Sequence, residues 1–143
     1  MSNQLSVGQM VEPVPSIHPV STSASNAGSA VVDTQGYHSF SAVVDIASVG
    51  AGSLDVVLQH SDDEQNWSNL YDFGAQAAAF SGRFSAPCAP GGPSELNSGG
   101  VKTSNGSVLV KRYLRYVTTQ AGGGTSVYGA FIILGGPAVT PTP

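Results

Sequence analysis

The chain has 143 residues and a net charge of −4 from five basic and nine acidic side chains, so only 10% of it is charged, against ~25% in an ordinary globular domain. That length fits one domain with a real core, and five basic groups argue against a phosphate backbone as partner. The lone cysteine, Cys88, rules out an internal disulfide framework. No apolar run reaches the ~18 residues of a membrane span, and no basic segment followed by an apolar stretch marks a secretory signal.

Glycine is frequent, at 18 residues, and Pro, Ser and Thr are plentiful. Long helices draw on Glu, Lys, Arg, Leu and Gln instead, so the mix predicts many short strands joined by turns. A surface so poor in charge is also compatible with permanent burial against neighbours, because free monomers usually stay soluble by interspersing charges of both signs.

Residues 1–30 form a compositional zone of their own. VEPVPSIHPV is punctuated by Pro13, Pro15 and Pro19, and STSASNAGSA follows it. Proline forbids a helix here and favours extended backbone. Two readings stand side by side: a disordered tail, or an extended arm lying on a partner with Val11, Val14, Ile17 and Val20 as apolar anchors. On the second reading, deleting residues 1–20 leaves the remaining domain folded and weakens partner binding. The expected organisation is an arm over 1–30, a domain over 31–137 and a flexible tail over 138–143.

Residues 37–49, YHSFSAVVDIASV, alternate with Phe40, Ala42, Val44 and Ile46 on one face. Gly50 to Ser53 turn the chain, and Leu54, Val56, Leu58 and His60 then point inward from the next strand. Ser61 to Asn66 form a polar connection, in which Ser61, Asp62 and Asp63 are placed to cap a tight turn by accepting backbone N–H groups. A strand follows over Trp67 to Phe73, and Trp67, the only tryptophan, is expected to cover one end of the core. A shorter strand is expected over Phe80 to Phe84. PCAPGGPSELNSGG reads as an excursion loop. Residues 107–119, SVLVKRYLRYVTT, read as one strand with Leu114, Tyr116 and Thr118 on one face and Lys111, Tyr113 and Arg115 on the other. Gly122 to Gly124 turn the chain into TSVYGAFIIL, apolar on both faces as in a central, doubly covered strand. Seven or eight strands at this spacing predict an all-β fold: a single antiparallel β-sandwich, jelly-roll-like, with an immunoglobulin-like sandwich as the alternative that lacks its Cys–Trp–Cys framework.

Few chemical motifs compete with this structural reading. Asp62-Asp63-Glu64 lacks the ligand spacing of a calcium loop. His18, His38 and His60 show no zinc spacing. No G-x-S-x-G elbow raises the case for a serine nucleophile, and Cys88 has no basic neighbour to activate its thiol. Neither enzyme chemistry nor a cofactor or metal is expected. Asn66-Trp67-Ser68 and Asn105-Gly106-Ser107 match a glycosylation sequon, which carries meaning only in a secreted protein.

LQHSDDEQNW at 58–67, KRYLRYV at 111–117 and GAFIILGGP at 129–137, with YHSFSAVVDIASV upstream, together resemble the small capsid decoration, or cement, proteins of tailed bacteriophages. The resemblance covers roughly residues 30 to 137. It implies a jelly-roll-like sandwich, made in the bacterial host cytoplasm, that binds the outer surface of the virion at local symmetry axes. The implied partners are the major capsid protein and further copies of the chain, as a dimer rather than a trimer. Val11, Val14, Ile17, Val20, Lys111 and Arg115 are the expected contact residues. The alternative is a jelly-roll carbohydrate-binding or host-attachment module, in which Trp67 or Tyr71 stacks on a sugar. The two readings differ in what they require of Trp67: a buried core residue for the first, an open aromatic face for the second.

Overall fold

The computed structural model describes residues 11–88, 101–103, 106–108 and 110–137. Among the described residues there are ten strands: β1 (Val11–Thr22), β2 (Val32–Asp33), β3 (Tyr37–Ser48), β4 (Ser53–Ser61), β5 (Ser68–Gln76), β6 (Phe80–Pro87), β7 (Val101–Thr103), β8 (Gly106–Val108), β9 (Tyr113–Ala121) and β10 (Ser126–Pro137). β7 and β8 make a small hairpin of their own. The other eight form two four-stranded sheets, in the orders β1-β10-β3-β6 and β2-β9-β4-β5.

The pairing is nested. β4 pairs with β5, β3 with β6, β2 with β9 and β1 with β10, all antiparallel. This is one long hairpin, bent between β4 and β5, rolled up so that its two arms supply alternate strands to two facing sheets. Such nesting is the jelly roll, and it places nearly all pairing between residues distant in sequence.

The period-2 pattern decides which side chains enter the core, because successive residues of a strand point to opposite faces. Phe40, Ala42, Val44 and Ile46 of β3 face Leu54, Val56 and Leu58 of β4 across the sandwich, and all are buried. Burying one such aliphatic side chain stabilises the fold by about 1.5–3 kcal/mol. Hydrogen bonds tie the sheets together inside this core. Tyr116 of β9 donates its hydroxyl to the Phe131 carbonyl oxygen at 2.8 Å, and Thr118 Oγ1 meets the Tyr128 hydroxyl at 3.1 Å. Burial pushes the Tyr116 hydroxyl pKa well above its ordinary value, so it remains a donor.

The structure corrects three expectations. First, residues 11–22 are not an arm reaching for a partner. They form an edge strand of the first sheet, pairing with β10 from Val11↔Gly135 to Thr22↔Ser126, and Ile17 is buried in the core. Residues 11–22 thus belong to the first sheet, where they cover an edge of β10 that would otherwise be unpaired. The prolines suit this position: an edge strand tolerates residues without N–H, and their absence of donors discourages another chain from adding on. Second, the strand expected over 107–119 is broken, since β9 begins only at Tyr113. Just before it, the Arg112 carbonyl accepts from the Thr34 N–H and hydroxyl. Third, β10 is central within its sheet but covered on one face only. Tyr128, Ala130, Ile132 and Leu134 are buried, Phe131 and Ile133 are half-buried, and Val127 is exposed. The excursion expected at 87–100 and the tail at 138–143 fall, apart from Pro87 and Cys88, outside the described residues.

Candidate functional site

The sandwich has two ends of opposite character. One gathers the β2–β3 and β4–β5 connections and the residues leading into β9, and it holds most of the sequence-predicted site residues. Ser61, fully buried at the end of β4, accepts the N–H groups of Asp63 (3.2 Å) and Glu64 (3.0 Å) and donates to Asp63 Oδ1 (2.9 Å). Asp63 in turn accepts the N–H groups of Gln65 and Asn66 and the Asn66 side-chain amide. These hydrogen bonds, the Asn66 backbone N–H first, hold the Asp63 carboxyl well below the usual carboxylate range. The turn thus caps itself as expected, but with Ser61 and Asp63 alone. Asp62 takes no part in the cap and instead faces Lys111, with Nζ and Oδ2 4.0 Å apart.

Trp67 is not a core residue. Its ring is half-buried on the outside of the second sheet, with the Arg115 guanidinium 4.3 Å above the ring centroid and Nε1–H donated to the Glu64 carbonyl at 3.3 Å. Arg115 is fixed further by donating Nε–H to Gln59 Oε1 at 2.9 Å. The pattern of β5 explains the correction: the strand starts at Ser68, so Trp67 belongs to the turn and folds back over it. One face of the ring lies under Arg115 and its only donor is taken by the Glu64 carbonyl, while the ring as a whole stays half-buried. Tyr71, the other aromatic considered for sugar stacking, lies with its ring 4.6 Å from that of Phe84 at 18°, a stacked pair at the margin of the core.

Two further groups at this end were invisible as a unit in the sequence. Arg112 forks onto Asp33, with Nε and Nη2 each 2.8 Å from a carboxylate oxygen, and this bond lowers the Asp33 pKa. His60 is buried, and its Nδ1 accepts the Lys111 backbone N–H at 3.1 Å. Burial, then the Lys111 charge, lowers its pKa to about 4, so the ring is neutral at pH 7. The Cys88 thiol is also buried, and burial pushes it up to about 12, which makes it a poor nucleophile.

The opposite end is built from the β1–β2 crossover and the β3–β4, β5–β6 and β9–β10 turns, brought together by the pairs Thr22↔Ser126, Ile46↔Phe80 and Ser53↔Ala121. None of the connecting residues 22–31, 49–52, 77–79 and 122–125 is charged. Two turns interlock there backbone against backbone. Gly124 N–H donates to the Ala51 carbonyl at 3.2 Å, and a Cβ on Gly52, whose φ is +93°, would lie 1.9 Å from the Ala121 carbonyl oxygen. Beside this tip, an open cleft of about 510 Å³ is lined by Ser16 to Val20 of β1, Thr22 and residues 24–27 of the crossover, and Tyr128. The expected contact residues are therefore scattered. Val20 lines the cleft, Ile17 is largely buried beneath it, and Lys111 and Arg115 stand at the other end. Val11 and Val14 pair by backbone with Gly135 and Ile132 of β10.

The outer face of the second sheet carries one more feature. Burial first, and the neighbouring Asp72 carboxylate second, raise the Asp55 pKa to about 6, and Asp55 Oδ1 is buried without a hydrogen-bond partner. Among the described residues no three His, Cys, Asp or Glu side chains converge as a metal site, and no helix is long and apolar enough to cross a membrane. Scanned against protein-family models the chain matches none, and a search of curated proteins finds no similar sequence, so the fold and these surfaces carry the functional argument.

Proposed function

We propose that this protein is a structural, non-enzymatic virion component that binds the outside of a bacteriophage shell and bridges neighbouring capsomers. The observation that carries the reading is the two-ended sandwich: a rigid tip without a charged residue, opposite an end stiffened by a self-capped turn, an Arg112–Asp33 fork and the Arg115–Trp67 stack. An uncharged surface of small side chains can be buried against protein without desolvating ions, which is what a permanent docking face requires. The jelly-roll topology agrees with what the resemblance of the chain's motifs implies. The proline-bearing edge strand β1 supports the same reading, because a protein that awaits a large lattice in solution must not polymerise through its own sheet edges.

The mechanism is multivalent. A shell under pressure from packaged DNA fails at the seams between capsomers. A small protein touching two or more subunits raises the effective concentration of each further contact, so individually modest interfaces add to a durable bridge. Self-association as a dimer about a local symmetry axis belongs to this reading and doubles the number of contacts.

The test mixes the purified protein with expanded empty shells that lack it, followed by sedimentation and a count of copies per shell. Saturable, stoichiometric binding that raises the melting temperature of the shell is the expected result. Absence of binding, with the protein retained on host cells or glycans instead, would overturn it.

A further inference from the structure

We propose that the outer face of the first sheet is where two copies of this chain pack against each other about a two-fold axis. The inference rests on the decoration reading above for self-association, and assigns the surface that carries it.

The period of the strands builds the face. In β3, Phe40, Ala42, Val44 and Ile46 enter the core, so Ser39, Ser41, Val43 and Asp45 point outward. Phe131 and Ile133 of β10 point the same way, as do Ser81, Arg83 and Ser85 of β6. Val43 stands in register between Phe131 on one side and Arg83 on the other. Val43, Phe131 and Ile133 keep part of their surface open to solvent, and the exposed serines lie around them. An apolar middle inside a polar rim is the anatomy of a protein interface.

The charges on this face define the partner. Asp45 and Arg83 are the only Asp, Glu, Lys or Arg in β3, β6 and β10. Arg83 is exposed and, among the described residues, makes no ion pair or hydrogen bond. Asp45 accepts the Ser81 hydroxyl at 3.1 Å. Arg83 pairs with Val43 and Ser81 with Asp45, so the two charges sit diagonally on neighbouring strands. An isologous contact requires a self-complementary patch. A two-fold axis lying in the face and passing midway between the charges sets each Arg83 on the Asp45 of the other copy. The same axis runs close to Val43 and Phe131, which then pack on their counterparts. Every charge in the contact is matched. The outer face of the second sheet fails this requirement, because it sets Asp55 beside Asp72 and would concentrate like charge. Strands of 8 to 12 residues, four abreast, cover about 700 Å² at about 3.3 Å per residue and about 4.8 Å between strands. A standard interface takes about 800 Å² from each partner, so overlap of much of this face suits a reversible dimer.

Sedimentation velocity of the full chain from about 1 to about 500 μM tests the assignment, with each variant checked for folding by thermal melting. The wild type is expected to pass from monomer to dimer across this range. Arg83→Glu and Asp45→Lys each set like charges opposite each other twice, and each is expected to raise the dimer Kd at least about tenfold. The double variant Asp45→Lys/Arg83→Glu exchanges the two signs and is expected to return to within about threefold of the wild type, which damage to local structure would not allow. Thr119→Lys, on the outer face of the second sheet, dimerises normally. A wild type that stays monomeric, single variants that dimerise as it does, or a double variant no better than the singles would overturn the assignment. Shell co-sedimentation of the same samples separates the two readings. Monomers that bind shells overturn the dimer face and leave decoration standing, whereas dimers that do not bind shells overturn decoration and leave the face.

Discussion

The two ends of the sandwich reach rigidity by opposite means. At the charged end, side chains do the work: Ser61 and Asp63 cap their turn, Arg112 grips Asp33, and Arg115 lies on Trp67. At the uncharged end neutral side chains such as Ser25, Thr118 and Gln120 bond the β1–β2 crossover to β9, and the backbones of the 50–52 and 122–124 turns fit into each other because glycines let them approach. The first construction is sensitive to pH and tolerant of shape. The second is indifferent to pH and intolerant of a single methyl group. A surface of the second kind can be buried without desolvating ions.

The largest expected effect removes the support of the uncharged end altogether. Deletion of residues 1–20 takes Ile17 from the core and strips one edge of β10, so it should destabilise by more than about 3 kcal/mol, or abolish cooperative unfolding in a urea titration. Were the truncated chain as stable as the full one, β1 would be the dispensable arm that its composition first suggested. Next comes Gly52→Val, whose side chain would be driven into the Ala121 carbonyl at a positive φ. A cost of about 3 kcal/mol is expected, equal at pH 5 and pH 8, and read from thermal melts.

The charged end should titrate. His60 has a folded pKa of about 4 against an ordinary 6.5, so the unfolded chain binds the extra proton. The stability from keeping it neutral is complete above pH 6.5 and is lost as pH falls toward about 4, by about 3 kcal/mol in all. Asp55, at the far end of β4 on the outer face of the second sheet, runs the other way. Its raised pKa of about 6 makes the folded state the better proton binder, so its contribution falls as pH rises from about 4 to about 6. The two slopes partly cancel in the native protein. Asp55→Asn should therefore steepen the acid loss and, with solvent screening of this part-exposed pair, raise stability at pH 7 by about 1 kcal/mol or less. A flat pH profile in that variant would show that His60 is not held neutral. Smallest of all is Lys111→Ala. Its 4.0 Å contact with Asp62 is solvent-exposed, and its loss should cost under about 0.5 kcal/mol by chemical denaturation, less still at high salt.

Much of the fold was legible in the residues. The alternation in 37–49 and 54–60 named the core faces of β3 and β4, because a strand with one buried face must repeat every second residue. The Ser61–Asp63 cap was legible because it is local, made between residues two or three apart. What the sequence alone could not determine was every choice that depends on a distant partner. Proline in 11–22 reads equally as tail, arm or edge strand, and only the empty edge of β10, more than 100 residues away, decides for the edge. Trp67 reads as core until Arg115, brought alongside by the β4–β9 pairing, holds its ring on the outside. The Arg112–Asp33 fork and the interlocked glycine turns likewise join segments that the chain keeps far apart. Local hydrogen bonds and the period of a strand are written in consecutive residues. The partners of a rolled-up hairpin exist only after the sheets have met.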